Sequence, residues 1–209
     1  FKSIQDLQYI AAMCHPGGGR NDVPNRLKSK FLAFNMVLPS TVSVDNIYGS
    51  ILRTTFNPRS CPDASVVAVS KKLTSATIAV WSKVQRVLLP SPARFHYVFN
   101  MRELSRVFQG IMETPQDVVT SDRSLVSLWK HEVVRVFADK LARLEDKQLM
   151  ERVVEDYSSE HFGEALAKRC AGVQWWCDFL RDAEQRGDEY EEAPKLYERV
   201  ESWEHVQRK

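Results

Sequence analysis

Between Pro62 and Pro90 the chain carries Leu73, Ala76, Val80, Trp81, Val84 and Leu88, apolar residues recurring at steps of three and four. That period winds into a single stripe on an α-helix. Prolines bound it because proline lacks a backbone N–H and clashes with the turn before it. Asp63 stands where a carboxylate accepts from the first free N–H groups. A long helix buried on one side needs other helices to cover it, and the sequence supplies them. Behind Asn100, with Glu103 three residues on in a capping-box arrangement, come Leu104, Val107, Phe108 and Ile111. From about Asp122 a further helix is expected to bury Leu125, Leu128, Trp129, Val133, Val136, Phe137 and Leu141. A shorter amphipathic segment from Ser43 is marked by Ile47, Ile51 and Phe56 and is broken by Pro58 and Pro62.

The first forty residues have a different grammar. Ile4 to Met13 is a compact, mostly apolar run that stops at Pro16 and three glycines, which suits a buried strand emptying into a loop. Pro24 opens a helix of about two turns, with Leu27 and Phe31 four apart and Arg26, Lys28 and Lys30 on its other faces. Leu32 to Leu38, ended by Pro39, reads as a second buried strand. The expected class is therefore mostly α with a small α/β part: two short strands, then helices. The stretch to Lys209 is helical in pattern but increasingly acidic, with Gly187 and Asp188 to Glu192 as a solvated turn. The division expected is 1–58 for the α/β part, 59–145 for the helical part and 146–209 for an acidic helical connector.

With 44% apolar residues in 209, wholesale disorder is excluded. No apolar run approaches the roughly 20 residues of a membrane-spanning helix, and FKSIQDLQ lacks the layout of a signal peptide, so a cytosolic chain with no membrane partner is expected. The chain starts at Phe1 without an initiator methionine and reads as a piece of a longer protein. Cys14, Cys61, Cys170 and Cys177 form no C-x-x-C pair, so neither a disulfide framework nor a metal site is indicated; Cys170 and Cys177, seven apart, read as small buried residues on one helix face. The net charge of +2 hides an asymmetry. Residues 1–109 hold 14 Lys and Arg against 5 Asp and Glu, a difference of +9, and residues 110–209 hold 15 against 22, a difference of −7. A basic half invites a polyanion, but no nucleic-acid-binding module is recognisable, and none is expected as a partner.

The glycine loop MCHPGGGRND suggests a phosphate cradle. A P-loop needs G-x-x-x-x-G-K-[ST], whose lysine meets the outer phosphates and whose hydroxyl holds magnesium. Here Gly17, Gly18 and Gly19 are followed by Arg20 and Asn21, and no apolar strand ends in the acidic pair that would hold magnesium. The chain thus lacks the parts for phosphoryl transfer on its own. Arg20, Arg26, Lys28 and Lys30 form a basic cluster that can reach phosphate on a neighbouring module or face solvent. Cys14 and His15 have no partners in a catalytic pattern. His131-Glu132 lacks the second histidine of a metalloprotease helix, which leaves a packing or salt-bridge role. Arg102, with Arg106 a turn later, sits in the first turn of its helix against the macrodipole, so either a bound anion or neighbouring Glu103 must compensate it.

The strings AAMCHPGGGRNDVPNRLKSKF, LTSATIAVWSKV, LLPSPARFHYVFNMRELSRVFQGIM and LWKHEVVRVFADKL resemble the third AAA+ module of a dynein heavy chain, in the axonemal style, over roughly residues 4 to 145. The HPGGGRND form looks most like outer-arm heavy chains. The resemblance implies an ATPase ring motor of cilia and flagella, minus-end-directed on microtubules, bearing intermediate and light chains. Each module is then a large α/β part and a helical lid, with ATP or ADP and Mg between them and the next module. It also implies that both Walker halves precede Phe1, that Cys14 holds the sensor I position and that Arg102 holds sensor II. Arg26, Lys30 and Arg20 become candidates for contact with phosphate on the preceding module, although the position after the phenylalanine, where a finger is expected, is Leu32. Such a chain alone is expected neither to hydrolyse ATP nor to bind it tightly. The rival reading is a helical interaction module without a nucleotide.

Overall fold

A computed structural model describes residues 4–13, 21–61, 63–172, 174–182, 185–186, 189–190 and 193–208. The chain divides into two units, Phe1–Leu38 and Pro39–Lys209.

In the first unit the regular element among the described residues is α1, Asn25–Lys28, which Pro24 opens: its carbonyl accepts from Leu27 N at 2.9 Å and Lys28 N at 3.1 Å. Both segments expected as strands are irregular. Ile10 is 90% exposed and Met36 87%. A buried strand of an α/β sheet is made by neighbours on its edges and cover on both faces. The described residues of this unit offer neither, so the apolar sequence is present without its sheet.

The second unit is helical. It begins with α2, Thr41–Val44, where Ser40 Oγ accepts from Ser43 N, runs through a widened π-type turn at Asp45–Gly49, and continues as α3, Ser50–Thr55. Its buried side is Val44, Leu52 and Phe56, with Tyr48 packed beside them; Ile47 and Ile51, expected inside, face out at 50% and 42% exposed. Helix α4, Ala64–Val87, is capped by Asp63, which accepts from Ser65 N at 2.8 Å, and buries all six apolar positions anticipated through Leu88. Against it lie α6, Asp122–Phe137, and α7, Leu144–Phe162. The helix α5, Met101–Glu113, packs on α6, and α8, Glu164–Arg169, on α7. Gly163, at φ 93°, makes the corner between α7 and α8 in a backbone region that favours glycine. The acidic α7 puts Met150, Val153, Val154 and Phe162 into the same core as α4. The stretch from 146 is accordingly packed with the helices before it, and the helix at 41–55 belongs with them as well.

Beyond α8 the chain leaves the helical pattern. The segments β1, Trp176–Cys177, and β4, Glu198–Arg199, pair antiparallel, with Trp176 opposite Arg199. A second two-residue pair joins β2 at Gln185–Arg186 to β3 at Glu189–Tyr190, which falls inside the run 188–192 expected as a solvated turn, and α9 is Trp203–Gln207. Cys170 is buried at the end of α8 and Cys177 is half-buried in β1, so they share no helix face. The helical expectation failed here because acidic residues tolerate either state, whereas Trp176 and its neighbours have an α-helix surface to lie on, as shown below. Among the described residues no helix is long and apolar enough to cross a membrane, and no group of side chains could hold a metal ion.

Candidate functional site

The start of α5 is held from three directions. The carbonyl of Phe99 accepts from Trp81 Nε1 at 3.1 Å and Gln85 Nε2 at 2.5 Å, both on α4. Lys140 Nζ donates to Val98 O at 2.7 Å and lies 4.1 Å over the Phe99 ring. Tyr97, 1% exposed, donates to Asp146 Oδ2 at 2.8 Å and accepts from Ala142 N at 3.1 Å. The capping box is in place: Asn100 Oδ1 accepts from Arg102 N at 2.8 Å, and Glu103 Oε2 accepts from Asn100 N at 2.9 Å. Such a cap contributes about 1 kcal/mol to its helix.

The side chains of Arg102 and Arg106 project from this braced turn into solvent, and neither makes an ion pair among the described residues. Glu103, the neighbour that could have balanced Arg102, is spent on the cap and on Lys140 at 3.5 Å. Burial pushes the Lys140 ammonium down, Glu103 pulls it back up, and Arg106 adds a further downward push. A positive helix end thus carries two exposed arginines with the local carboxylate already engaged. Cys14, His15 and Arg20 lie outside the described residues. Arg26 and Lys30 are exposed, and Lys28 pairs with Asp22 at 2.7 Å.

A second polar cluster was read too simply from sequence. On α6, Ser127, Lys130, His131 and Glu132 are all buried. Lys130 bonds Glu155 of α7 and Cys170 O, the latter at 3.0 Å. Ser127 bonds the Gln174 side chain and accepts from Trp176 Nε1 at 3.4 Å. Glu132, wholly buried, accepts from Tyr197 at 2.5 Å on Oε1 and from Arg135 at 3.1 and 2.5 Å on Oε2. Burial, and then the bond to Glu132, push the Tyr197 phenol up. The His131 ring bonds the backbone carbonyl of Gln174, while its Nε2 has no hydrogen-bond partner among the described residues and stands 3.9 Å from Glu132. The packing and salt-bridge role expected for His131-Glu132 is what they perform. The missed signal was the aromatic content of Trp175, Trp176 and Tyr197 in an otherwise polar tail. Beside this cluster, α6 and α7 enclose a cleft of about 390 Å³ lined by Arg152, Glu155 and Gln174.

Burial lowers the pKa of His131 below its ordinary 6.5, against the upward pull of Glu132. The folded chain therefore keeps this ring neutral at a pH where the unfolded chain has taken up a proton. Since the unfolded state binds more protons, stability falls as pH drops below 6.5 and does not depend on this group above it. Urea midpoints at pH 7.5 and 5.5 should drop for the wild-type chain by more than for His131→Gln; equal drops would remove His131 from the cause. Besides Glu132 and Arg135 on its own helix and Asp139 just beyond its end, the ring faces Tyr197, with Glu151, Arg152 and Glu155 of α7 across the cleft.

A family model described as the AAA+ lid domain matches residues 73–167, and one described as the P-loop containing dynein motor region matches residues 1–39. The chain is 42% identical to Dynein axonemal heavy chain 5 of Mus musculus, over 99% of this chain and 5% of that protein. It is 41% identical to the Dynein gamma chain, flagellar outer arm, of Chlamydomonas reinhardtii, over 87% of this chain and 4% of that protein. With Dynein axonemal heavy chain 8 of Homo sapiens it shares 39% over its whole length, again 5% of the relative. An AAA+ lid joined to a dynein motor segment is the class that the helical unit and these matches define. The chain belongs to the dynein heavy chain family, as a segment of the motor domain. It spans about one-twentieth of the length of the relatives it matches.

Proposed function

We propose that this chain is the later part of the third AAA+ module of an axonemal heavy chain of outer-arm type, and that it regulates the motor rather than powering it. The parent would be an ATP-driven, minus-end-directed microtubule motor of the cilium or flagellum, with intermediate and light chains attached. Arg102 is the sensor of this module, with Arg106 beside it. The observation that supports this reading is that Arg102 is exposed, and without an ion-pair partner among the described residues, at a helix start braced on Phe99, Val98 and Tyr97.

A nucleotide, ATP or ADP with Mg, supplies the phosphate charge for which Arg102 is suited, since a guanidinium meets phosphate with two parallel donors. The chain's own contribution is to hold α5 so that the donors of Arg102 are already in position. Braced in this way, α5 moves as a rigid piece when Arg102 is drawn, and presses on α6, against which it is packed. Cys14 at the sensor I position and Arg26, Lys30 or Arg20 towards the preceding module complete the reading.

In an intact motor domain carrying this segment, Arg102→Ala should weaken nucleotide affinity at this module about tenfold, the scale of one charge-assisted contact, with Arg102→Lys in between. The 209-residue chain alone should bind ATP no tighter than millimolar by calorimetry. A micromolar dissociation constant for the chain alone, or an Arg102→Ala motor with unchanged affinity, overturns the reading, and the latter favours a helical interaction module instead.

A further inference from the structure

Three elements meet at one carboxylate. Glu132 of α6 takes the Tyr197 hydroxyl on Oε1 and Arg135 on Oε2. On its remaining side stands the backbone of α5 at Gly110, so near that a Cβ there would lie 2.0 Å from Glu132 Oε2 and 2.2 Å from its carboxyl carbon. Gly110 is about two turns along the helix whose first turn bears Arg102. We propose that Glu132 is a latch between α5 and the paired stretches 174–177 and 197–200: it holds Tyr197 only while α5 stands where Gly110 leaves the carboxylate room.

The reason is the absence of slack. A carboxylate with 0% exposure cannot turn to water when pushed. Gly110 has no side chain that could yield, and the hydrogen bonds on both oxygens weaken steeply once distance and angle depart from their optimum. A shift of α5 towards α6 must therefore displace the carboxylate from its donors. Tyr197 is the donor that stands on another element. The segment that carries Tyr197 responds as a piece, because Val200 N bonds Trp175 O at 2.9 Å and β1 pairs with β4. Its other fastenings, Trp176 on Ser127 and Gln174 on Ser127 and His131, lie on the same helix within two turns of Glu132. The latch thus has a closed arrangement and a released one, which is what coupling between two elements requires. It stands whether or not Arg102 meets a phosphate. If Arg102 does, the latch gives the movement of α5 an outlet at the segment through which the chain runs on past α8.

Amide hydrogen exchange on the 209-residue chain, without nucleotide, tests this. Gly110→Ala should speed exchange at Tyr197, Glu198, Arg199 and Val200 by about tenfold or more, while the interior amides of α4 change by less than about twofold. Because coupling is reciprocal, Tyr197→Phe should speed exchange at Ile111, Met112 and Glu113 of α5, although the substitution is on the other element. Gly110→Ala exchange that rises in α5 and stays at wild-type rates in 197–200 overturns the latch. If Gly110→Ala speeds exchange everywhere alike, through a general loss of stability, Tyr197→Phe decides: unchanged α5 amides reject the latch and accelerated ones sustain it.

Discussion

Trp129→Ala is expected to lower the unfolding free energy of the chain by about 3–5 kcal/mol, the range for deleting a buried aromatic side chain. Against the roughly 5–15 kcal/mol that holds a domain together, this is a large share, and it raises the unfolded fraction by more than about a hundredfold. Trp129 is fully buried and joins three helices: its Nε1 donates to Thr77 Oγ1 of α4 at 2.9 Å, and its ring meets Phe162 of α7 edge-on at 5.1 Å. Thr77 in turn donates to Leu73 O at 2.7 Å, so its hydroxyl keeps a bond when the indole goes. Trp129→Phe should consequently cost far less, about 1 kcal/mol for the lost hydrogen bond plus the packing difference. Urea denaturation followed by circular dichroism measures both. Equal costs for the two variants would show that the indole N–H, not ring volume, carries the effect.

Glu132→Ala should cost about 3 kcal/mol, the lower end of the 3–5 kcal/mol typical of breaking a buried pair. The lower end applies because Arg135 is 45% exposed and can return its guanidinium to water, whereas the Tyr197 hydroxyl loses its acceptor in a half-buried place. The variant also opens space against Gly110. The cost of Gly110→Ala should therefore shrink in the Glu132→Ala background, and the double variant should be more stable than the sum of the single changes indicates. Strict additivity, measured by the same denaturation, would mean that the α5 backbone and this carboxylate do not press on one another.

The helices α4, α5 and α6 were legible because each carries its evidence internally: apolar positions at helical spacing, and a capping residue at the start. Asn100 with Glu103 placed the start of α5 within a residue. The strands expected at Ile4–Met13 and Leu32–Leu38 depend instead on partners, and apolar content alone cannot supply them. The buried polar residues of α6 were opaque for the opposite reason. Ser127, Lys130, His131 and Glu132 look like a solvent face in any window confined to α6, and they become interior only through residues such as Tyr197, 65 positions further on in the case of Glu132. Arg102 was singled out because a cation at a helix start contradicts the local electrostatics, a conflict readable from a few residues. That Glu103 would be drawn to Lys140, and not to Arg102, required the tertiary structure.

The widened turn at Asp45–Gly49 sets the phase of the helix around it. Val44, Tyr48, Leu52 and Phe56 recur at steps of four, and an unbroken α-helix over-rotates by about 40° at each such step. By taking up an extra residue, the turn offsets part of that drift and keeps these four side chains towards the core, which is also why Ile47 and Ile51, equally four apart, point away. Removing one residue from this turn would do more than shorten the helix. It would swing everything beyond the turn by about 100°, exchanging Leu52 for its neighbours at the core. In this segment residue count is a form of information as specific as residue type.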